Sequence, residues 1–206
     1  MSRGSWPGVD FPPPAALAAF AFLLVLSAAE NPAVGASLEE RAQLCHACHG
    51  PEGRSSLPET PSIGGQPSFF VVAQLFLFRD ARRNSPAMVA AAKNLTNDDL
   101  RAFAEYVSKL PPPPPPSDPP DPVRFERGRV LTRQQPCGVC HNQDFSGREQ
   151  MPRLANQRED YLLKAMREFK SGARIGYAGA MAEELTRLSD DDLVALAHFL
   201  SHLPRR

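Results

Sequence analysis

The sequence of 206 residues lacks an excess of either charge, a long apolar run and a strand-like alternation of residues. Each of these absences argues against a class of protein. Neither sign of charge is in excess, since 23 Lys and Arg residues are matched by 23 Asp and Glu residues, which argues against a nucleic-acid-binding module. No uninterrupted apolar run reaches the roughly 18–20 residues that a membrane-spanning helix needs. No segment alternates convincingly between apolar and polar residues with the period of a β-strand. The sequence therefore predicts an all-α protein.

The N-terminal segment has the composition of an export signal. Arg3 precedes an unbroken apolar stretch over residues 15–26, and small residues follow it up to Ala29. This order predicts a signal peptide over residues 1–29 and a location in the periplasm. A second cleavage position lies at Ala36, and an uncleaved N-terminal anchor is the alternative interpretation.

The rest of the chain repeats itself. Cys45-His46-Ala47-Cys48-His49 recurs 92 positions later as Cys137-Gly138-Val139-Cys140-His141. Other pairs recur at nearly the same offset, so the sequence predicts one domain present twice, over residues 37–110 and 123–204. Between the copies, nine of the twelve residues 111–122 are proline, which predicts a semi-rigid linker without helix or strand.

Each copy is predicted to contain three to four helices. In the first copy, Ser37 and Glu40 form the pattern of a capping box, and Ser68 or a neighbouring residue starts a second helix. Thr96 or Asn97 is predicted to cap a third helix. Pro111 ends that third helix. The helices predicted in the second copy cover residues 123–134, 158–171 and 190–203.

The motif Cys-x-x-Cys-His, which occurs once in each copy, is the attachment site of c-type haem. Two thiols one helical turn apart can reach the two vinyl groups on one edge of the porphyrin. The histidine that follows then lies beneath the ring and ligates the iron. The predicted residues are Cys45, Cys48 and axial His49 in the first copy, and Cys137, Cys140 and axial His141 in the second.

Three other interpretations of the cysteines compete with haem attachment. A structural zinc site needs four closed ligands, and each Cys pair already lies within a complete copy of the motif. A thioredoxin-like redox pair would lie near a βαβ pattern, which the sequence lacks. A structural disulfide is the third alternative, since exported chains can hold disulfides.

A methionine in each copy is predicted to ligate the iron from the side opposite the histidine. Met88 follows His49 by 39 residues and Met181 follows His141 by 40, both in a loop predicted before the last helix of the copy. A thioether there would fill the sixth coordination position and raise the potential of the iron. Met151 and Met166 compete in the second copy, but neither has a methionine counterpart in the first.

The remaining histidines receive ordinary structural interpretations. His46 lies between the two cysteines of the motif, and its side chain is expected to point the wrong way to ligate the same iron. His198 and His202, four residues apart on the last predicted helix, are expected to be solvated or to cap the helix end. A surface metal site at this pair is the alternative.

These motifs resemble those of the di-haem class I cytochromes c of the cytochrome c4 type, which consist of two c-553-like domains. The resemblance covers both copies and is strongest at residues 45–50, 61–66 and 78–80, and at residues 151–157 and 161–162. It implies that the backbone carbonyls of Pro61 and Pro152 accept the N–H of the axial histidines. Such a bond would fix the orientation of each ring and raise its basicity.

The predicted function is that of a soluble periplasmic electron carrier with two covalently bound haems, and not that of an enzyme. Its expected partners are redox proteins: a terminal oxidase, a quinol-oxidising complex or a dehydrogenase. No nucleic acid is expected, and a membrane only through partners or an uncleaved N-terminus. The alternatives are a di-haem peroxidase, which needs one iron with an open position, and the electron-accepting cytochrome subunit of a dehydrogenase.

Overall fold

The structure, a computed structural model, describes residues 36–174 and 179–204. The predicted signal peptide over residues 1–29 lies outside the described residues. From Ala36 onward the chain forms one compact unit. Within the described ranges it contains nine α-helices and no strand beyond a single bridge between Arg148 and Met151. The predicted all-α fold is confirmed.

The helices follow one another in the same order in both copies of the repeat. The first copy contains α1 (Leu38–His49), α2 (Ser68–Arg79), α3 (Pro86–Ala92) and α4 (Asn97–Lys109), with a 3₁₀ turn over Pro51–Gly53. The second copy contains α5 (Pro122–Gln134), α6 (Cys137–His141), α7 (Glu159–Lys170), α8 (Gly179–Thr186) and α9 (Asp190–Ser201).

The helix starts depend on side-chain caps that the sequence predicts well. Ser37 and Glu40 form a reciprocal capping box at the start of α1. Thr96 and Asp99 form a capping box at the start of α4, and Ser189 and Asp192 form one at the start of α9. Each box satisfies backbone N–H groups that have no partner inside the helix, and so fixes where the helix begins.

Two short helices were not expected, and both carry a predicted ligand. Met88 is the third residue of α3, and Met181 is the third residue of α8, where the sequence predicted loops. Both segments are rich in helix-forming residues, and Pro86 suits the first turn of α3. Helices of seven or eight residues are too short to give a clear apolar period, which is why they were missed.

The first and last helices of each copy cross closely. Arg41 of α1 pairs with Asp99 of α4 at 2.6 Å, and Arg127 of α5 pairs with Asp192 of α9 at 2.8 Å. At the second crossing, a Cβ placed on Gly128 would lie 2.3 Å from the carbonyl oxygen of Ala195. The close approach of α5 and α9 therefore requires the absence of a side chain at residue 128.

The proline-rich segment packs on the first copy. A Cβ on Gly64 would lie 2.4 Å from the carbonyl oxygen of Pro111, and one on Gly65 would lie 3.2 Å from Pro112. Pro113 is buried. The segment contains no helix or strand before α5 begins at Pro122, as its composition predicted. It is stiff, but it does not hold the copies apart, since several hydrogen bonds join them directly.

Replacing Gly128 tests the helix crossing in the second copy. Because any Cβ there overlaps the backbone of α9, we expect Gly128→Ala to lower the free energy of unfolding by about 1–3 kcal/mol. Denaturant unfolding of the haem-loaded protein measures this loss. Gly179→Ala is the matched control, since nothing lies within 4 Å of a Cβ at that glycine. Equal stability of both variants would contradict the close crossing.

Candidate functional site

The first Cys-x-x-Cys-His motif forms the last turn of α1. Cys45 is half-buried, Cys48 is exposed and His49 is buried. Helix α1 ends at His49 because Gly50 adopts a left-handed φ of 75°, and a Cβ there would lie 1.9 Å from the carbonyl oxygen of Arg54. The three motif residues thus share one helical turn, with the thiols and the imidazole on the same end of the helix.

The second motif forms a separate short helix, α6. Pro136 precedes it, and a proline at that position interrupts the helix that was continuous in the first copy. Cys137 is half-buried, Cys140 is exposed and His141 is buried, as in the first copy. The two motifs therefore present the same set of groups although the helices leading into them differ.

Each histidine predicted to ligate iron is held by a proline carbonyl. The Nδ1 atom of His49 lies 2.8 Å from the carbonyl oxygen of Pro61, and that of His141 lies 2.9 Å from the carbonyl oxygen of Pro152. A carbonyl only accepts, so Nδ1 carries the proton in both rings. The contacts implied by the family resemblance are confirmed.

The other ring nitrogen is left available for a metal. Burial lowers the pKa of His49 and of His141, although the carbonyl bond in each copy acts in the opposite direction. Both rings are therefore neutral at pH 7 and carry a lone pair on Nε2. The Nε2 atom of His141 is buried and has no hydrogen-bond partner. A buried imidazole nitrogen without a partner fits an iron ligand.

The cysteines do not support the competing interpretations. All four are free thiols, so no disulfide links them. Among the described residues, the one group of three or more His, Cys, Asp or Glu side chains close enough to share a metal contains no cysteine. Burial raises the pKa of the Cys45 and Cys137 thiols, which keeps both protonated at pH 7. These observations favour attachment to haem over zinc or a disulfide.

The two predicted methionine ligands come from helices other than those of the histidines. Met88 is half-buried in the first turn of α3, and Met181 is partly buried in the first turn of α8. In contrast, Met166 is buried in the core of the second copy. Met151 lies in a turn, where its backbone exchanges hydrogen bonds with Arg148. Only Met88 and Met181 occupy matching positions in the two copies.

A cluster at the contact between the copies was missed by the sequence analysis. The hydroxyl oxygen of Tyr161 lies 3.0 Å from Nη2 of Arg83 and 3.4 Å from Nη2 of Arg174, and each arginine lies over the ring of a phenylalanine of its own copy. Burial alone would raise the pKa of Tyr161, but the two positive charges outweigh it and lower that pKa. Arg83 and Arg174 recur at the offset of the repeat, which was the available signal.

These arginines also fit a haem protein. Nη1 of Arg174 and Nε of Arg153 are buried without a hydrogen-bond partner, although the Arg174 nitrogen lies 3.9 Å from the Glu168 carboxylate. Arg83 hydrogen-bonds to the amide oxygen of Gln74 and to the Tyr161 hydroxyl, both uncharged groups. Buried guanidinium groups of this kind favour a nearby anion, and each haem carries two carboxylates.

Duplicated haem-attachment motifs on an all-helical frame define a di-haem cytochrome of the c type. Comparison with known proteins agrees: the family described as Cytochrome c matches residues 125–204. Cytochrome c4 of Thiocapsa roseopersicina is 30% identical over 168 residues, covering 78% of this chain and 87% of that protein. The thiosulfate dehydrogenase electron acceptor of Thiomonas intermedia is 30% identical over 183 residues and covers 84% of each chain.

The solved structures agree with the sequence relatives. The structure of cytochrome c4 from Acidithiobacillus ferrooxidans, 27% identical, superposes with a TM-score of 0.70 and covers 79% of this chain and 99% of that one. The chain therefore belongs to the cytochrome c4 family. It is an electron-transfer protein with two covalently bound c-type haems, and it exchanges electrons with redox partner proteins.

The structure does not place His198 at the surface, where the sequence predicted the pair formed by His198 and His202. His198 is buried, with 4% of its surface exposed, and not solvated as its place on a helix near the C-terminus suggested. Its Nε2 accepts the backbone N–H of Asp121 at 2.9 Å, so Nδ1 carries the proton and donates to Glu159, also at 2.9 Å. Glu159, His198 and His202 are close enough to hold a metal, but both nitrogens of His198 already have protein partners. The cluster is explained by its structural role, which ties the end of the linker to α7 and α9.

Replacing His198 tests this role. Because His198→Leu leaves the Asp121 N–H without its acceptor and removes one of the two partners of the Glu159 carboxylate, we expect a loss of about 1–3 kcal/mol in the free energy of unfolding. His202→Leu should cost less, since His202 is only half-buried. Thermal unfolding with and without a chelator should give the same midpoint, whereas a fall caused by the chelator would indicate a bound metal.

Proposed function

We propose that this chain is an exported, periplasmic electron carrier in which each haem is closed on both faces by protein ligands. The proposed attachment residues are Cys45, Cys48, Cys137 and Cys140, and the proposed iron ligands are His49, Met88, His141 and Met181. The observation that carries the proposal is the matching buried histidine in each copy, held through Nδ1 by a proline carbonyl, with the buried Nε2 of His141 left without a hydrogen-bond partner.

The protein's contribution to electron transfer is to hold the ligands still and to exclude water. The haem supplies an iron that accepts and releases one electron. The carbonyl bonds of Pro61 and Pro152 fix the imidazole rings, so little atomic movement accompanies a change of oxidation state. Met88 and Met181 would each supply a thioether to the iron of their own copy, which would raise its potential and leave no open position for a substrate.

The proposed organisation has a signal peptide over residues 1–29, a first cytochrome domain over residues 37–110, a linker over residues 111–122 and a second domain over residues 123–204. Within the described ranges, no helix is both long and apolar enough to cross a membrane. An exported carrier of this kind would dock with its partners only transiently.

One alternative function has a specific observation in its favour. The Thiomonas intermedia relative is described as the electron acceptor of a thiosulfate dehydrogenase. The chain could serve a dehydrogenase in the same manner, instead of passing electrons from a quinol-oxidising complex to a terminal oxidase. A peroxidase requires an open iron position, and the matched positions of Met88 and Met181 argue against it.

Replacing the methionines one at a time tests the ligation. We expect Met88→Ala and Met181→Ala each to remove about half of the methionine–iron charge-transfer absorption, because each variant opens one of two equivalent sites. The potential of the affected haem should fall, and its ferrous form should bind carbon monoxide rapidly. Optical redox titration and carbon monoxide binding measure these changes.

Two other methionines serve as controls for this test. Met151→Ala and Met166→Leu should leave the absorption band and both potentials near those of the unchanged protein. Loss of the band in either control would assign the ligand to that residue instead. Rapid carbon monoxide binding to the unchanged protein would contradict the carrier and favour a peroxidase.

The mature N-terminus tests the proposed export. We expect mass spectrometry of the protein isolated from the periplasm to give a chain that begins after Ala29 and carries two haems. A chain that begins after Ala36 would move the cleavage site. An intact N-terminus recovered in the membrane fraction would contradict the soluble form.

A further inference from the structure

We propose that Gln66 and Gln157 are positioning residues, each of which tunes the haem of the other copy through a single peptide group. The inference rests on the proposed ligation by His49 and His141. Both glutamines are buried, with 5% and 4% of their surface exposed, where the two copies meet. Neither touches an axial histidine directly, so the effect has to pass through the backbone between them.

Gln157, from the second copy, acts on the haem of the first copy. The side-chain oxygen of Gln157 accepts the backbone N–H of Ser62 at 2.8 Å, and its NH₂ group donates to the Ser62 carbonyl at 2.7 Å. The N–H of Ser62 belongs to the same peptide group as the carbonyl of Pro61. That carbonyl accepts the N–H of His49 at 2.8 Å.

The second half is the same arrangement in the opposite direction. The side-chain oxygen of Gln66 accepts the backbone N–H of Arg153 at 3.0 Å, and its NH₂ group donates to the Arg153 carbonyl at 3.0 Å. The Arg153 N–H shares its peptide group with the carbonyl of Pro152, which accepts the N–H of His141 at 2.9 Å. Each copy thus supplies the glutamine that hydrogen-bonds to the histidine-binding peptide group of the other copy.

This geometry has an electronic consequence. A hydrogen bond to the N–H of a peptide polarises that peptide and makes its carbonyl a stronger acceptor. A stronger acceptor at Nδ1 makes the imidazole more basic at Nε2, which favours ferric over ferrous iron. Gln157 should therefore lower the potential of the first haem, and Gln66 that of the second.

The local backbone supports the same placement in both copies. Gly65 and Asn156, which precede the glutamines, both adopt left-handed conformations, with φ of 66° and 60°. Asparagine is one of the few residues that tolerates this region, which explains why it replaces glycine in the second copy. The amide of Asn156 also donates to the Leu203 carbonyl at 2.5 Å, which fixes the turn.

Other bonds hold the copies together independently of the glutamines. The backbone N–H of Glu59 donates to Asp160 at 3.0 Å, and the guanidinium of Arg158 donates to the Ser55 carbonyl at 3.1 Å. Leucine has nearly the volume of glutamine but no hydrogen-bonding group. We therefore expect Gln157→Leu and Gln66→Leu to keep the contact while removing the bonds to the peptide groups.

The test compares the two variants in the haem-loaded, full-length protein. We expect Gln157→Leu to raise the midpoint potential of the first haem, changing its reduction equilibrium constant about threefold, and to leave the second haem less affected. Gln66→Leu should give the reverse pattern, so each variant is the control for the other. Haem signals assigned by NMR through contacts with their own cysteines give the two potentials separately.

A second measurement follows the histidine itself. In the reduced protein, the NMR signal of the His49 Nδ1–H should move to lower chemical shift in Gln157→Leu, because its acceptor is weaker, while that of His141 stays nearly unchanged. A variant that unfolds is replaced by Gln157→Asn or Gln66→Asn, whose shorter side chain also breaks the paired contact. Shifts confined to the variant's own copy, or equal in both, would overturn the proposal.

Failure of the proposed ligation and failure of the crossed arrangement are distinguishable. If His49 and His141 are not the iron ligands, the unchanged protein will lack the spectrum of histidine-ligated haem. If only the crossed arrangement is wrong, that spectrum will be normal and the potentials will not respond in the crossed pattern.

Discussion

The site in each copy depends on one buried hydrogen bond, from the histidine proposed to ligate iron to a proline carbonyl. A buried imidazole that donates from Nδ1 must present Nε2 as an acceptor, and a buried acceptor without a partner is unfavourable. The bond between His141 and Pro152 therefore explains the tautomer, the ring orientation and the need for a metal together. The helix ends, the left-handed turns and the proline positions all serve to bring this carbonyl to that ring.

Much of the frame could be predicted from local sequence, because caps and apolar stripes act over a few residues. The capping box at Ser37 and the cap at Thr96 are such local signals, and both are found. The short helices α3 and α8 could not be predicted, since their apolar period is too brief. His198 was interpreted wrongly because its burial depends on Glu159 and on the end of the linker, which are distant in sequence.

The haem-attachment motifs could be identified from the spacing of their cysteines and histidines, whereas the contacts of the residues around them could not be predicted. The motif lies in one helical turn, so its geometry is fixed by five consecutive residues. The paired contacts of Gln66 and Gln157 span 87 and 95 residues, and no local pattern indicates which peptide group a buried amide will meet. The repeat offset aligns Gln66 with Gln157, but it does not show that their contacts cross from one copy to the other.

The proline-rich linker helps to make this crossed contact possible. Proline restricts the unfolded chain, so joining two domains through such a segment costs less conformational entropy than joining them through a flexible one. Since Pro111 and Pro112 also pack on Gly64 and Gly65, the linker is fixed beside the turn that carries Gln66. In the proposed arrangement, one peptide group in each copy serves both a histidine ligand and a contact between the copies, and in this way connects the two haem sites.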